Sequence, residues 1–115
     1  MEQMTITVNG ETFEVELEDN ETARAFAALM PLELPMEELN GNEKYYYLDQ
    51  PLPSAPEAVG EIHAGDVMLF GDSCVVLFYQ DFHTSYTYTR IGHVADPAGL
   101  AQAVGTGDVV VAFAR

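Results

Sequence analysis

Cysteine occurs once in the 115 residues, as Cys74, so the chain cannot close a disulfide within itself and a reducing compartment is the plain expectation. Basic residues are nearly as scarce. Four Lys and Arg stand against nineteen Asp and Glu, for a formal net charge of −15. Nucleic acids and anionic membranes both call for basic patches, so neither is an expected partner. No run approaches the ~18 consecutive apolar residues of a membrane span. The opening Met1-Glu2-Gln3-Met4-Thr5 has no basic n-region or apolar h-region, so no secretory signal is expected and the protein is read as cytoplasmic. Metal-binding spacings are missing as well: His63, His83 and His93 form no HxH or HxxxH pattern, and no cysteine pair accompanies them. The glycines follow no phosphate-loop pattern and Ser85 lies in no Gly-x-Ser-x-Gly elbow, so neither a cofactor nor a serine nucleophile is expected. What is present is ample apolar material, 48% of the chain. At this length it is expected to form one domain spanning residues 1–115, burying roughly two-thirds of its unfolded surface.

Period-2 patterns dominate the chain. Met4, Ile6 and Val8 alternate with threonines, Asn9-Gly10 follows, and Phe13, Val15 and Leu17 then alternate with glutamates. Two such runs joined by Asn-Gly predict a β-hairpin with a type I′ turn, apolar on one face and carboxylate on the other. The row Glu14, Glu16 and Glu18 reads as a solvated edge that blocks sheet-to-sheet association. Asp19-Asn20 caps a helix predicted over 21–30, with Ala23, Phe26, Ala27 and Met30 on one stripe and Pro31 as its stop. Pro35 and Asn40-Gly41 make 32–41 read as a connection. The run 44–48 is aromatic and β-prone, 49–57 is a proline-rich loop, and strands are predicted at 59–62, 67–70, 74–79 and 85–91. Asp96-Pro97 opens a short helix that Gly105 ends, and an apolar strand over 108–114 follows. About eight short strands and two helices predict a mainly β fold, a closed antiparallel barrel or sandwich with a helix over each open end of a barrel.

The ordered set of phrases resembles the cyclophilins. Asp19-Asn20-Glu21-Thr22-Ala23-Arg24-Ala25-Phe26-Ala27-Ala28-Leu29 is similar to their first helix, with its Thr-Ala-x-x-Phe-x-x-Leu pattern. Gly92-His93-Val94 followed by Gly99-Leu100-Ala101-Gln102-Ala103-Val104 resembles their late turn and second helix. Gly65-Asp66-Val67-Met68-Leu69-Phe70 and the run 73–78 look like the strands that line their groove. In particular the chain resembles small bacterial cyclophilin-like proteins, which implies a closed eight-stranded antiparallel barrel with two short helices. Cyclophilins isomerise the bond before proline, with a guanidinium aimed at the proline carbonyl. The strand that carries that arginine corresponds here to 44–48, and its position falls at Tyr46, or at Tyr47 if the register slips by one. No arginine lies between Arg24 and Arg90, His63-Ala64-Gly65-Asp66 lacks the family's glutamine, and the later groove histidine falls near Tyr88. A preorganised donor of this kind contributes ~3–4 kcal/mol, which a neutral tyrosine hydroxyl does not match. The resemblance therefore implies the fold, and these departures predict absent or very weak isomerase activity.

Candidate groove residues follow from the same reading. Tyr45, Tyr46, Tyr47, Tyr86 and Tyr88 offer apolar area with a polar tip, and Tyr86, Tyr88 and Arg90 are expected on one strand face. Asn40, Asn42 and Glu43 form a loop at the edge of the groove, and His83 precedes the tyrosine strand. Arg90 either orients a carbonyl or carboxylate ligand or pairs internally with Glu43 or Glu38. Cys74 reads as a buried structural thiol. The expected function is a binding module for an extended peptide, a protein or a small polar ligand, without efficient catalysis. A prolyl isomerase with a non-standard site, rescued by Arg90, is the alternative. A structural partner that works through its acidic surface is a third.

Overall fold

The computed structural model describes residues 3–115; Met1 and Glu2, at the head of the segment read for a secretory signal, lie outside the described residues. In chain order the elements are β1 (Gln3–Val8), β2 (Glu11–Leu17), α1 (Glu21–Ala27), β3 (Leu32–Leu39) and β4 (Glu43–Tyr47). They continue with β5 (Glu57–Ala58), β6 (Glu61–Ile62), β7 (Asp66–Phe70), β8 (Cys74–Phe78) and β9 (Phe82–His83). The last are β10 (Thr87–Val94), α2 (Leu100–Val104) and β11 (Val109–Ala114). Eight strands run in the order β2-β1-β11-β3-β4-β8-β7-β10, and pairing of β2 with β10 closes the antiparallel barrel. Of the short strands, β5 adds to the edge of β10, while β6 and β9 form a separate two-stranded ribbon.

The first hairpin follows the sequence pattern closely. Val8 pairs with Glu11 across Asn9 and Gly10, whose φ values of 50° and 82° are those of a two-residue type I′ turn. Met4, Ile6, Val8, Val15 and Leu17 are all buried in the barrel, which leaves the glutamates of β2 on the outer face. Closure depends on one glycine. A Cβ on Gly92 would lie 2.5 Å from the backbone oxygen of Glu16, so only glycine lets β10 approach β2 this closely.

Asn20 caps α1 as expected, its side-chain oxygen accepting from the backbone N–H of Ala23 at 2.8 Å, while its amide donates to the Arg90 carbonyl at 2.9 Å. The helix ends at Ala27 and stops short of Met30. Phe26 seats edge-on against Phe113 inside the barrel, with ring centroids 5.4 Å apart. The second helix is shorter than expected: Asp96-Pro97 forms a turn before it, in which Asp96 accepts from the Ala98 N–H, and helical residues begin at Leu100. Its Leu100, Ala103 and Val104 enter the same core. Two further corrections concern strands. Residues 32–39, read as a connection, form β3, and of 59–62 only Glu61–Ile62 is strand (β6), because the chain turns at Gly60 (φ 74°); β5 lies just before it, at Glu57–Ala58. Among the described residues no helix is long and apolar enough to cross a membrane.

Candidate binding cleft on the outer face of the barrel

Side chains alternate across the wall of the barrel, and this alternation builds the site. On β4, Lys44 and Tyr46 turn toward the interior, whereas Glu43, Tyr45 and Tyr47 point outward. On β8 the outward residues are Cys74 and Val76, opposite Tyr47 and Tyr45 respectively. Phe70 on β7 lies opposite Cys74, and Tyr88 on β10 and Tyr86 just before it complete the far side. Ile62, Met68, Val76, Phe78 and Tyr88 form a second apolar cluster outside the barrel, separate from the main core. The outward cleft therefore has an apolar floor, two aromatic walls and a volume of about 310 Å³. The β3–β4 turn supplies its rim, through Leu39, Asn40 and Glu43.

Exposure marks the same place. Among the described residues five large hydrophobic side chains are exposed, and four of them, Leu39, Tyr47, Phe70 and Tyr86, line this cleft. Scattered apolar exposure is ordinary, whereas a concentration of it around one concavity marks a binding surface. The rings meet at steep angles: Tyr45 and Tyr47 at 81° with centroids 6.0 Å apart, and Phe70 and Tyr86 at 75° and 5.8 Å.

The rim is anchored from beneath by a buried cation. Lys44 is fully buried, and its three N–H donors reach Glu38 Oε1 at 2.9 Å, the Gly105 carbonyl at 2.8 Å and the Gly107 carbonyl at 2.6 Å. Glu38 also accepts from the Tyr79 hydroxyl at 2.5 Å and from the backbone N–H of Gly41 at 2.6 Å. Burial alone would push the Glu38 carboxyl up, but the bonds from Tyr79, Lys44 and Gly41 outweigh it and hold the group below its ordinary value. Burial together with the donated bond pushes Tyr79 up to about 12. This network joins β3, β4, the end of β8 and the 105–107 loop, and it fixes the turn in which Asn40 and Gly41 take positive φ.

The chemistry inside the cleft is acidic and aromatic. Glu43 is half-buried, and burial followed by the charge of Glu38 raises its carboxyl above the ordinary range. Burial pushes the Cys74 thiol up to about 11, only partly countered by its hydrogen bond with the Tyr47 hydroxyl. Among the described residues no Lys, Arg or His lines the cleft.

Of the residues singled out from sequence, Asn40, Glu43, Tyr45, Tyr47, Tyr86 and Tyr88 come together here. Four do not. Tyr46 packs against the main core, because it sits on the inward phase of β4 between Tyr45 and Tyr47. Asn42 lies beside the cleft with a buried side-chain oxygen that has no hydrogen-bond partner. His83 is exposed on the β6–β9 ribbon, 3.7 Å from Glu61. Arg90 pairs with Glu57 at 2.9 Å, not with Glu43 or Glu38, and lines a different depression together with Asn20 and Arg24. Leu39 is absent from the sequence reading of the groove, whereas Phe70, Cys74 and Val76 lie on the strands likened to the groove, with their outward residues not named there and Cys74 read as a buried structural thiol.

The profile of the cyclophilin-like family matches residues 6–114, nearly the whole chain. The chain belongs to the cyclophilin-like family. A search of curated proteins gives no match. Among solved structures it is similar to a hypothetical protein from Archaeoglobus fulgidus determined in solution, at 21% identity and a TM-score of 0.64, covering 98% of this chain and 93% of that one. This likeness concerns the fold. Membership of the cyclophilin-like family fits the closed eight-stranded barrel and its two short helices.

Proposed function

We propose that the cyclophilin-like barrel is a binding module whose outer cleft holds an extended peptide segment or a small polar ligand, without efficient prolyl isomerisation. The observation that carries this reading is the gathering of four exposed apolar side chains around a cleft with no basic group among its described lining residues. An isomerase of cyclophilin type aims a charged donor at the twisting amide, against a barrier of ~18–20 kcal/mol. Here the outward positions of the corresponding strand are Glu43, Tyr45 and Tyr47. A tyrosine hydroxyl donates one neutral hydrogen bond and offers no bidentate fork. Arg90, the residue that a rebuilt donor would need, is engaged by Glu57 on another part of the surface.

The test is exchange NMR on an X-Pro peptide with and without the protein. The expected result is shifted peptide signals with no acceleration of cis–trans exchange. Acceleration that Arg90→Ala or Tyr47→Phe abolishes would establish an isomerase with a rebuilt donor and overturn the noncatalytic reading.

A further inference from the structure

The cleft combines three features that single out one ligand chemistry. Its walls are aromatic rings set nearly at right angles, Tyr45 against Tyr47 and Phe70 against Tyr86, with much of Tyr47 and Tyr86 open to solvent (60% and 64% exposed). Ring faces carry the negative side of the aromatic quadrupole, and an edge-to-face pair still leaves ring faces uncovered, so a lining of four such rings offers a cation favourable contacts. At the rim stands Glu43, a half-buried carboxylate that makes no ion pair among the described residues. Its neighbour Lys44 is turned to the other side of the strand, with all three donors used by Glu38, Gly105 and Gly107. The third feature is the missing counter-charge: no described lining residue is basic.

We propose that the cleft takes an organic cation, an alkylammonium or guanidinium headgroup, with Glu43 as its counter-charge and the Tyr45, Tyr47, Phe70 and Tyr86 rings as its walls. This rests on the cleft being a binding site at all, and goes on to name what it binds. The alternatives fit less well. An anion would meet Glu43 with no donor cation beside it, and a neutral apolar ring would leave a partly desolvated carboxylate uncompensated. A cation satisfies the carboxylate and the ring faces together. The raised Glu43 carboxyl agrees, since burial and then the nearby Glu38 charge disfavour its ionised form, and a bound cation offsets both. The net charge of −15 draws any cation toward the protein, while the rings supply the selectivity for organic over inorganic cations. The Gly41 N–H bond to Glu38 holds the turn that leads into Glu43, so the backbone from which this carboxylate extends is fixed before any ligand arrives.

The test compares choline with its neutral isostere 3,3-dimethylbutan-1-ol in amide-NMR titrations of the full chain. A lysine- or arginine-bearing peptide is set against its norleucine counterpart in the same way. Expected are saturable shifts at Glu43, Tyr45, Tyr47 and Phe70, upfield movement of the trimethyl protons, and affinity about tenfold above the neutral partner. Glu43→Gln is expected to remove most of that preference, by weakening the charged ligand and by relieving the desolvation cost that the neutral one meets. Tighter binding by the peptide than by choline assigns the cation to a protein side chain, and the reverse assigns it to a free amine. Equal affinity of charged and neutral partners on the wild-type chain overturns the proposal and leaves the binding reading standing. If none of the four probes shifts a cleft resonance, both fall.

Discussion

Lys44 has the most constrained environment of the described side chains that carry charge. It is fully buried, and every donor it has is used within the barrel. Removing one partner of a buried pair leaves the other uncompensated, which costs ~3–5 kcal/mol. Lys44→Met is therefore expected to destabilise the protein by about that amount in urea unfolding. Adding Glu38→Leu is expected to recover part of the loss, because the orphaned carboxylate goes with it. Failure of the double variant to recover anything would mean that the lysine's stem, and not its charge, is what matters. Cys74 gives a second prediction. With its thiol pushed up to about 11, only about one molecule in a thousand is ionised at pH 8, against roughly a quarter for an unfolded cysteine. Thiol reagents are thus expected to modify the native protein on the order of a hundredfold more slowly than the urea-unfolded chain. Equal rates would show that the thiol is neither buried nor covered by Tyr47.

The elements show where sequence reading works and where it stops. The β1–β2 hairpin and the Asn20 cap were legible because each rests on local chemistry: a positive-φ Asn-Gly pair, and a side-chain oxygen facing free N–H groups. Strand β3 was hidden by Pro35. Its residues alternate inward and outward, yet a proline within such a run argues against a central strand. The structure tolerates it because β3 changes partners along its length. Residues 32–36 pair with β11 and 37–39 with β4, so at Pro35 the β4 flank is unpaired. The cleft was half legible for a similar reason. Its tyrosines stand out by type, but Phe70, Cys74 and Val76 sit in runs that are apolar throughout, because β7 and β8 have the main core on one face and the second cluster on the other. A strand covered on both faces carries no period from which to read its outward side. Closure of the barrel was legible only through the resemblance of the ordered phrases, because the contact on which it turns, Gly92 against Glu16, leaves no local pattern in the sequence. Gly92→Ala forces that contact apart and is expected to cost at least about 2 kcal/mol. The loss should appear first as faster amide exchange along the β2–β10 pairing. Unchanged protection there would mean that the barrel closes without this close approach.

At the scale of the whole molecule, charge sets the response to solution conditions. Fifteen net negative charges lie on a body with a radius of gyration of 12.6 Å, close to the Debye length of ~10 Å at 0.1 M salt. The carboxylates repel one another in the folded state more than in the expanded chain, so acidification from neutral pH relieves strain that salt also relieves. Glu43 acts in the same sense. Its folded carboxyl is raised, so the folded state binds a proton more readily than the unfolded chain, and the penalty for ionising it disappears as pH falls toward the ordinary value of 4.5. Glu38 acts in the opposite sense. Its folded carboxyl is depressed, so the stability it contributes is fully present above 4.5 and is lost as pH falls from there through its folded value. Stability is therefore expected to rise as pH drops from 7 toward 5, and to fall once Glu38 begins to protonate. Thermal unfolding across pH 3–8 at low and high salt checks this. Salt should flatten the rising limb, which comes from screened repulsion, and leave the acid limb, which comes from a buried contact. Glu43→Gln should lift Tm at pH 7 by an amount worth under about 1 kcal/mol. Glu38→Gln should lower it at pH 7 and blunt the acid limb. A stability profile that falls steadily from pH 7 downward, unaffected by salt, would contradict the charge argument at its root.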